Sequence, residues 1–238
     1  MEPEPPPSPD PSPDPSPAEV APPLAITPDM LAPEAKPGET RIDFERGLSY
    51  VPKLTLLLIA ANVALFIVEL ANGALADPES IIRAGALHRE SVLRGEVWRL
   101  VSAMFLHGGF DHLLGNCLVL YIVGLACEHA VGWWAAAVYF ASGLCGSLLS
   151  LLASPGPSVG ASGAIFGFTG ALIVFLHRHR DVFFIRDKRT GVVLAAWAGY
   201  TIVIGFLTPY VDNFAHIGGL LGGAACMWPL PARLPQKG

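Results

Sequence analysis

Beyond about residue 54 the chain alternates long apolar blocks with short polar stretches, and that alternation constrains its solvent more than any other feature. The blocks cover residues 54–70, about 112–126, 132–152, 162–176, 191–207 and 216–230. Each is long enough to read as a helix crossing or nearly crossing a bilayer. Hydrophobic residues make up 52% of the 238 and charged residues 15%, against about 25% charged in a soluble domain. A water-soluble core of this length cannot hide so much apolar surface. The fold expected is therefore all-α, a polytopic membrane bundle of six transmembrane helices. Residues 74–111 carry Arg83, Arg89, Glu90, Arg94, Glu96 and Arg99, too many charges to cross, and are expected to form a long connection.

The first 40 residues have a different character. They hold 14 of the 22 prolines and much of the acid, and cannot bury enough surface to offset ordering entropy. The division expected is a disordered, acidic, Pro-rich tail over 1–45, a membrane domain over 46–232 and a short tail over 233–238. Residues 1–20 lack the apolar core of a secretory signal, so the first apolar block is expected to act as an uncleaved anchor. The net charge of −5 comes largely from the tail. No basic patch with interleaved aromatics suggests a nucleic-acid partner. Cys117, Cys127, Cys145 and Cys226 lie in or at the ends of apolar runs without metal-type spacing, and read as small packing residues.

Lysine and arginine set an orientation. Residues 177–190 carry five, the segment before the first span has Lys36, Arg41, Arg46 and Lys53, and the end of the chain has Arg233 and Lys237. With six alternating spans these eleven fall on one side and only four on the other, so both termini are expected in the cytoplasm. The same alternation starts the second, fourth and sixth spans on the opposite face. Those starts carry His112 and Asn116, Ser162, and His216. Polar groups that are costly in hydrocarbon thus gather at one end of three helices running in one direction.

Ser162 stands in Gly160-Ala161-Ser162-Gly163-Ala164, where glycines permit a tight turn and close approach of a substrate carbonyl. A serine hydroxyl needs a base within hydrogen-bond reach, and His216 can supply it. His112 and Asn116 are four apart, on one helix face, and can donate hydrogen bonds to the oxyanion of a tetrahedral intermediate alongside the Ser162 N–H. The tripeptide Ala-Ser-Gly occurs again at Ser142 in mid-helix, and Ala164 departs from the GxSxG elbow of soluble hydrolases. Gly163, Gly167 and Gly170 in the fourth span, with Gly218, Gly219, Gly222 and Gly223 in the sixth, allow the two helices to approach closely. Fifteen residues of the fourth span rise about 22 Å, short of a hydrocarbon core of about 30 Å. That sets Ser162 roughly 8 Å below the outer surface in a cavity walled by the 153–161 turn.

In combination, Trp98-Arg99, HGGFDHLLGN (107–116), Glu128, GASGAIFG (160–167) and AHIGGLLGG (215–223) resemble the rhomboid family of intramembrane serine proteases, over about residues 50–230. The resemblance implies Ser162 as nucleophile, His216 as base, and His112 and Asn116 in the oxyanion hole. It implies that Trp98, Arg99 and Glu128 belong to the first loop and its anchoring. The substrates implied are single-span transmembrane proteins whose helices unwind near the cut, often at small residues, in the lipid bilayer; the compact six-span core sets the expectation of a plasma (inner) membrane. Some relatives place a tyrosine four residues after the serine, stacked on the histidine; Phe166 here keeps the ring without the hydroxyl. No aspartate is evident to orient His216, although Asp212 is close in sequence, and a dyad without metal or cofactor is expected. Three alternatives compete: a zinc site of His107, Asp111, His112 and His216, which lacks the HExxH pattern; a non-enzymatic binder of membrane helices; and a small transporter, for which no internal repeat is found. The oligomeric state is not legible.

Overall fold

The computed structural model describes residue 1, residues 43, 44 and 48, and residues 51–183 and 185–231. Most of the expected tail over 1–45, and the tail over 233–238, lie outside the described residues. The helices, in order, are α1 (Lys53–Ala71), α2 (Pro78–Ala84), α3 (Arg89–Leu93), α4 (Arg99–Ser102), α5 (Phe110–Val131), α6 (Trp134–Ala153), α7 (Ser162–Arg178), α8 (Ile185–Leu207) and α9 (Asn213–Met227). Six of them, α1 and α5–α9, occupy the six apolar blocks. Among the described residues the β structure is one isolated bridge, Leu87 to Ser158.

The chain is an integral membrane protein. Helices α1, α5 and α6, and residues 189–207 of α8, are each long and apolar enough to span a bilayer. Helix α7, of 17 residues, and α9, of 15, are shorter. Helix α7 is also the enclosed one. Residues 163–172 of α7 are buried without a break, the pattern of a helix surrounded on all sides. Helix α9 packs against both α6 and α7, and α7 also meets α5 and α8. Helix α8 is the least buried of the long helices.

The glycines explain how α7 and α9 come so close. A methyl group at Gly219 would overlap the Gly163 carbonyl, one at Gly223 the Gly167 carbonyl, and one at Gly170 the Leu220 carbonyl. Helix α6 joins the contact, since a Cβ at Gly146 would sit 2.7 Å from the Ala215 carbonyl oxygen. Apolar surface drives no helix together in lipid, so direct backbone packing must hold this trio. At the far end of the pair, Arg178 Nη1 of α7 donates to the Met227 and Trp228 carbonyls at 3.2 and 2.6 Å, closing the frayed end of α9.

Helix limits differ from the sequence expectation in instructive ways. Helix α5 starts at Phe110 rather than 112 and continues through Val131 rather than 126, past Glu128, whose charge is satisfied inside the protein. Its carboxylate accepts from Leu54 N–H at 3.1 Å, Thr55 N–H at 2.9 Å and Thr55 Oγ at 2.9 Å. Glu128 therefore caps the start of α1 and does not anchor the first loop, which corrects the role expected of it. Helix α8 begins six residues early, at Ile185. Helix α9 begins at Asn213, because the Asp212 side chain caps it by accepting from Ala215 N–H.

The connection before α5 is folded, not extended. Arg99 is its staple: the guanidinium donates to Glu96 Oε2 at 2.9 and 2.6 Å and to the Ile82 and Ala86 carbonyls at 2.5 and 3.0 Å. It also lies over the Trp98 ring at 4.7 Å. Leu87 and Ser158 exchange two 2.9 Å backbone bonds, and Gly160 N–H donates to the Ala103 carbonyl at 2.8 Å. The connection is thereby laced to the segment that enters α7. His107, fully buried, closes it; its N–H donates to the Glu69 carboxylate at 3.1 and 3.2 Å.

Two outcomes follow. Gly219→Val should lower the thermal midpoint in detergent, with a cost of about 1–3 kcal/mol or more for overpacking, whereas Gly199→Ala, whose Cβ meets nothing within 4 Å, should leave it unchanged. Burial, and secondarily the neighbouring His112, pushes the His107 imidazole down to about 4. The unfolded chain then binds a proton that the folded one refuses, so stability falls as pH drops from about 6.5 to 4, by up to about 3 kcal/mol. Unfolding midpoints at pH 7, 5.5 and 4 should fall further in the native protein than in His107→Gln; equal falls would contradict this.

Candidate functional site

Ser162 opens α7, and the backbone before it sets where the hydroxyl points. Gly160 has φ +129°, a left-handed conformation that side chains resist. Its N–H bond to Ala103 holds the turn, and the chain enters the helix at Ala161, which is wholly buried. Ser162 itself is half-buried. His216, 7% exposed, lies four residues into α9. Because α7 and α9 touch through Gly163 and Gly219, the two side chains meet: Ser162 Oγ lies 2.9 Å from His216 Nε2. The spans that the sequence starts on one face do converge there.

His216 Nδ1 makes no hydrogen bond among the described residues. Its ring is held by stacking instead. Phe166, one helical turn past Ser162, lies parallel to the imidazole at 4.3 Å between ring centres and 9° between planes. The ring expected to replace a tyrosine does stack. Trp197 of α8 lies over Phe166 in turn, at 5.7 Å and 22°. The sequence offered no sign of Trp197, an aromatic residue in an otherwise unremarkable apolar span.

His112 and Asn116 come from α5 to the same place. A Cβ at Gly160 would sit 2.8 and 2.9 Å from His112 Cε1 and Nε2, and 3.5 Å from Asn116 Nδ2. Glycine is required there, two residues before Ser162, and the two side chains press against its bare backbone. Gly108 N–H points at His112 Nδ1 at 3.4 Å, which leaves the ring proton on Nε2. Asn116 Nδ2 is buried and has no partner among the described residues. Two donors facing one small space, one of them unsatisfied, can accept a developing negative oxygen. His112 is exposed, so the space opens outward.

Near the entry to α7 a cavity with room of about 20 Å3 is lined by Ser147, Ser158, Gly160, Gly163 and Ala215 among others, and not by Ser162 itself. That is enough for about one water molecule. Ser158 and Gly160 of the turn before α7 contribute to its wall. Ser142, the second Ala-Ser-Gly serine, is buried elsewhere and donates to the Tyr139 carbonyl at 3.2 Å. Among the described residues, no three His, Cys, Asp or Glu side chains are placed to share a metal ion. The four cysteines are free thiols.

Comparison with known proteins bears on this arrangement. Residues 94–233 match the Rhomboid domain family. The chain is 38% identical over 183 residues to Rhomboid protease GluP of Bacillus subtilis, covering 76% of this chain and 36% of that protein. It is 43% identical over 161 residues to RHOMBOID-like protein 5 of Arabidopsis thaliana, covering 66% and 51%. It is 32% identical over 199 residues to Rhomboid protease AarA of Providencia stuartii, covering 72% and 70%. The first two alignments reach only about a third to a half of those relatives' length. The matched region contains Ser162, His216, His112 and Asn116, and with a bundle that brings their helix ends together, the chain belongs to the rhomboid family.

Proposed function

We propose that the protein is an intramembrane serine endopeptidase that hydrolyses peptide bonds in or near the transmembrane segments of other membrane proteins through a Ser162–His216 dyad. The observation that carries the reading is the 2.9 Å approach of Ser162 Oγ to His216 Nε2 at the start of two glycine-packed helices. In a span, such a pair is costly unless it serves a purpose. The names of two relatives, each a rhomboid protease, support the class of activity.

The steps follow from the donors and acceptors present. Ser162 Oγ attacks the scissile carbonyl carbon while His216 Nε2 takes its proton. The oxygen that gains charge is received by His112 Nε2–H, Asn116 Nδ2–H and the Ser162 N–H. His216 returns the proton to the departing amine. Water then attacks the acyl-enzyme, with His216 again the base. Stacking on Phe166 keeps the imidazole turned toward the serine throughout. A half-buried serine beside an exposed His112 suits an extended segment presented at the membrane face. Hence the substrates proposed are single-span proteins whose helix unwinds at the cut.

The setting proposed is a plasma (inner) membrane with both termini cytoplasmic, supported by the eleven Lys and Arg residues on that side. The Pro-rich tail over 1–45 acts as a spacer before a catalytic domain over 46–232.

Purified protein in liposomes, given a single-span model substrate, should cleave it, and Ser162→Ala and His216→Ala should each abolish cleavage while keeping the unfolding midpoint. His112→Ala or Asn116→Ala should lower kcat by about 10²–10³. Undiminished cleavage by Ser162→Ala would sink the assignment.

A further inference from the structure

His216 rides in the first turn of α9, so whatever holds that turn decides where the imidazole sits. Three hydrogen bonds to Asp212 help to hold it, beside the bond from Asn213 N–H to the Val211 carbonyl at 3.2 Å and the dyad bond itself. Asp212 Oδ1 accepts from Ala215 N–H at 3.1 Å, the capping bond of the helix. The Asp212 carbonyl accepts from the N–H of His216 itself at 3.3 Å. Asp212 Oδ2 accepts a short bond from Ser150 Oγ, 62 residues away on α6. Ser150 is 2% exposed, so its hydroxyl has little water to compete for and the bond to Asp212 is shielded.

The geometry around Ala215 shows why a tether is needed. Its carbonyl faces Gly146 of α6 and Gly163 of α7, where an added Cβ would lie 2.7 and 3.3 Å from the oxygen. Glycine faces permit close approach and leave register to the few side chains that engage there, Cys145 and Leu149 of α6 against Gly222 and Gly218, and Phe166 of α7 against His216. A polar contact between α6 and the first turn of α9 adds to that register. Among the described residues, the Ser150–Asp212 bond is the side-chain hydrogen bond other than the dyad that joins the first turn of α9 to a different helix.

We propose that Asp212, tethered by Ser150, is the positioning residue for His216: it fixes the height and rotation of the first turn of α9 against α6 and so sets the reach of Nε2 to Ser162 Oγ. The carboxylate is not a third triad member. Both its oxygens are committed elsewhere, and His216 Nδ1 has no hydrogen bond. It acts through the backbone. The inference rests on the protease reading and gives its dyad a means of alignment.

The test compares native protein, Ser150→Ala, Asp212→Ala, the double variant and Asp212→Asn, all as full chains in liposomes. It measures kcat and KM on a single-span substrate, the rate of Ser162 labelling by a fluorophosphonate, and the unfolding midpoint. A misplacement near 1 Å costs about 10²-fold in rate, so each alanine variant should lower kcat and the labelling rate together by about 10–100-fold at unchanged KM. The double variant should be no worse than the weaker single, because both remove one tether. Asp212→Asn keeps a capping oxygen and can donate to Ser150 Oγ, so it should recover most of the rate. Native labelling and kcat in Ser150→Ala, multiplied effects in the double variant, or an Asp212→Asn as poor as the alanine would each overturn the proposal. Ser150→Ala keeps the helix cap and decides the matter even if Asp212→Ala fails to fold. Failure of the underlying reading looks different: Ser162→Ala would still cleave, whatever the Asp212 variants do.

Discussion

The backbones of α7 and α9 touch. Carbonyls of Gly163 and Gly167 lie where side chains at positions 219 and 223 would be, and the Leu220 carbonyl lies where one at 170 would be. In lipid there is no hydrophobic gain from bringing two apolar helices together, so attraction must come from close packing and polar contacts. Glycine supplies the closeness, and it also exposes backbone dipoles to each other at short range. A Ser–His bond between two helices is only as short as the helices allow, which makes this contact the condition for everything at the site.

Two further demands are met at opposite ends of the pair. At the end away from the site Arg178 satisfies the last carbonyls of α9, groups that a helix leaves without intrahelical partners. At the site end the opposite holds: Asn116 Nδ2 is left unpaired and His112 presents Nε2–H, so donors are kept available near the serine. The cost of that vacancy is carried by a dense frame, with Arg99, Glu69 and the Leu87–Ser158 bridge fixing the connection and the entry to α7. The pattern fits a protein that spends stability at one place and secures it around that place.

Much of this was legible in the residues, and for physical reasons. Apolar blocks of fifteen to twenty residues admit little but helix in a bilayer, so α1 and α5–α9 could be located. Alternating direction then placed His112, Asn116, Ser162 and His216 at one end, and the GxxxG spacing said which helices approach. What could not be read depends on contacts distant in sequence. The family resemblance put Glu128 with the first loop, and nothing in its sequence neighbourhood reveals that Leu54 and Thr55 offer it three donors. Trp197 over Phe166 and Ser150 on Asp212 are likewise tertiary facts. The short helices α2–α4 form in a charged stretch with weak periodicity because Arg99 and Ser102 collect the carbonyls of Ile82, Gly85 and Ala86 around them.

The most direct measurement maps a fluorophosphonate adduct by mass spectrometry in membrane-embedded native protein and in His216→Ala. A hydroxyl activated by the imidazole of α9 predicts a single adduct on Ser162 in the native protein and its loss in His216→Ala. An adduct on another residue, or equal modification of Ser162 without His216, would contradict the pairing of the two helices as the source of reactivity.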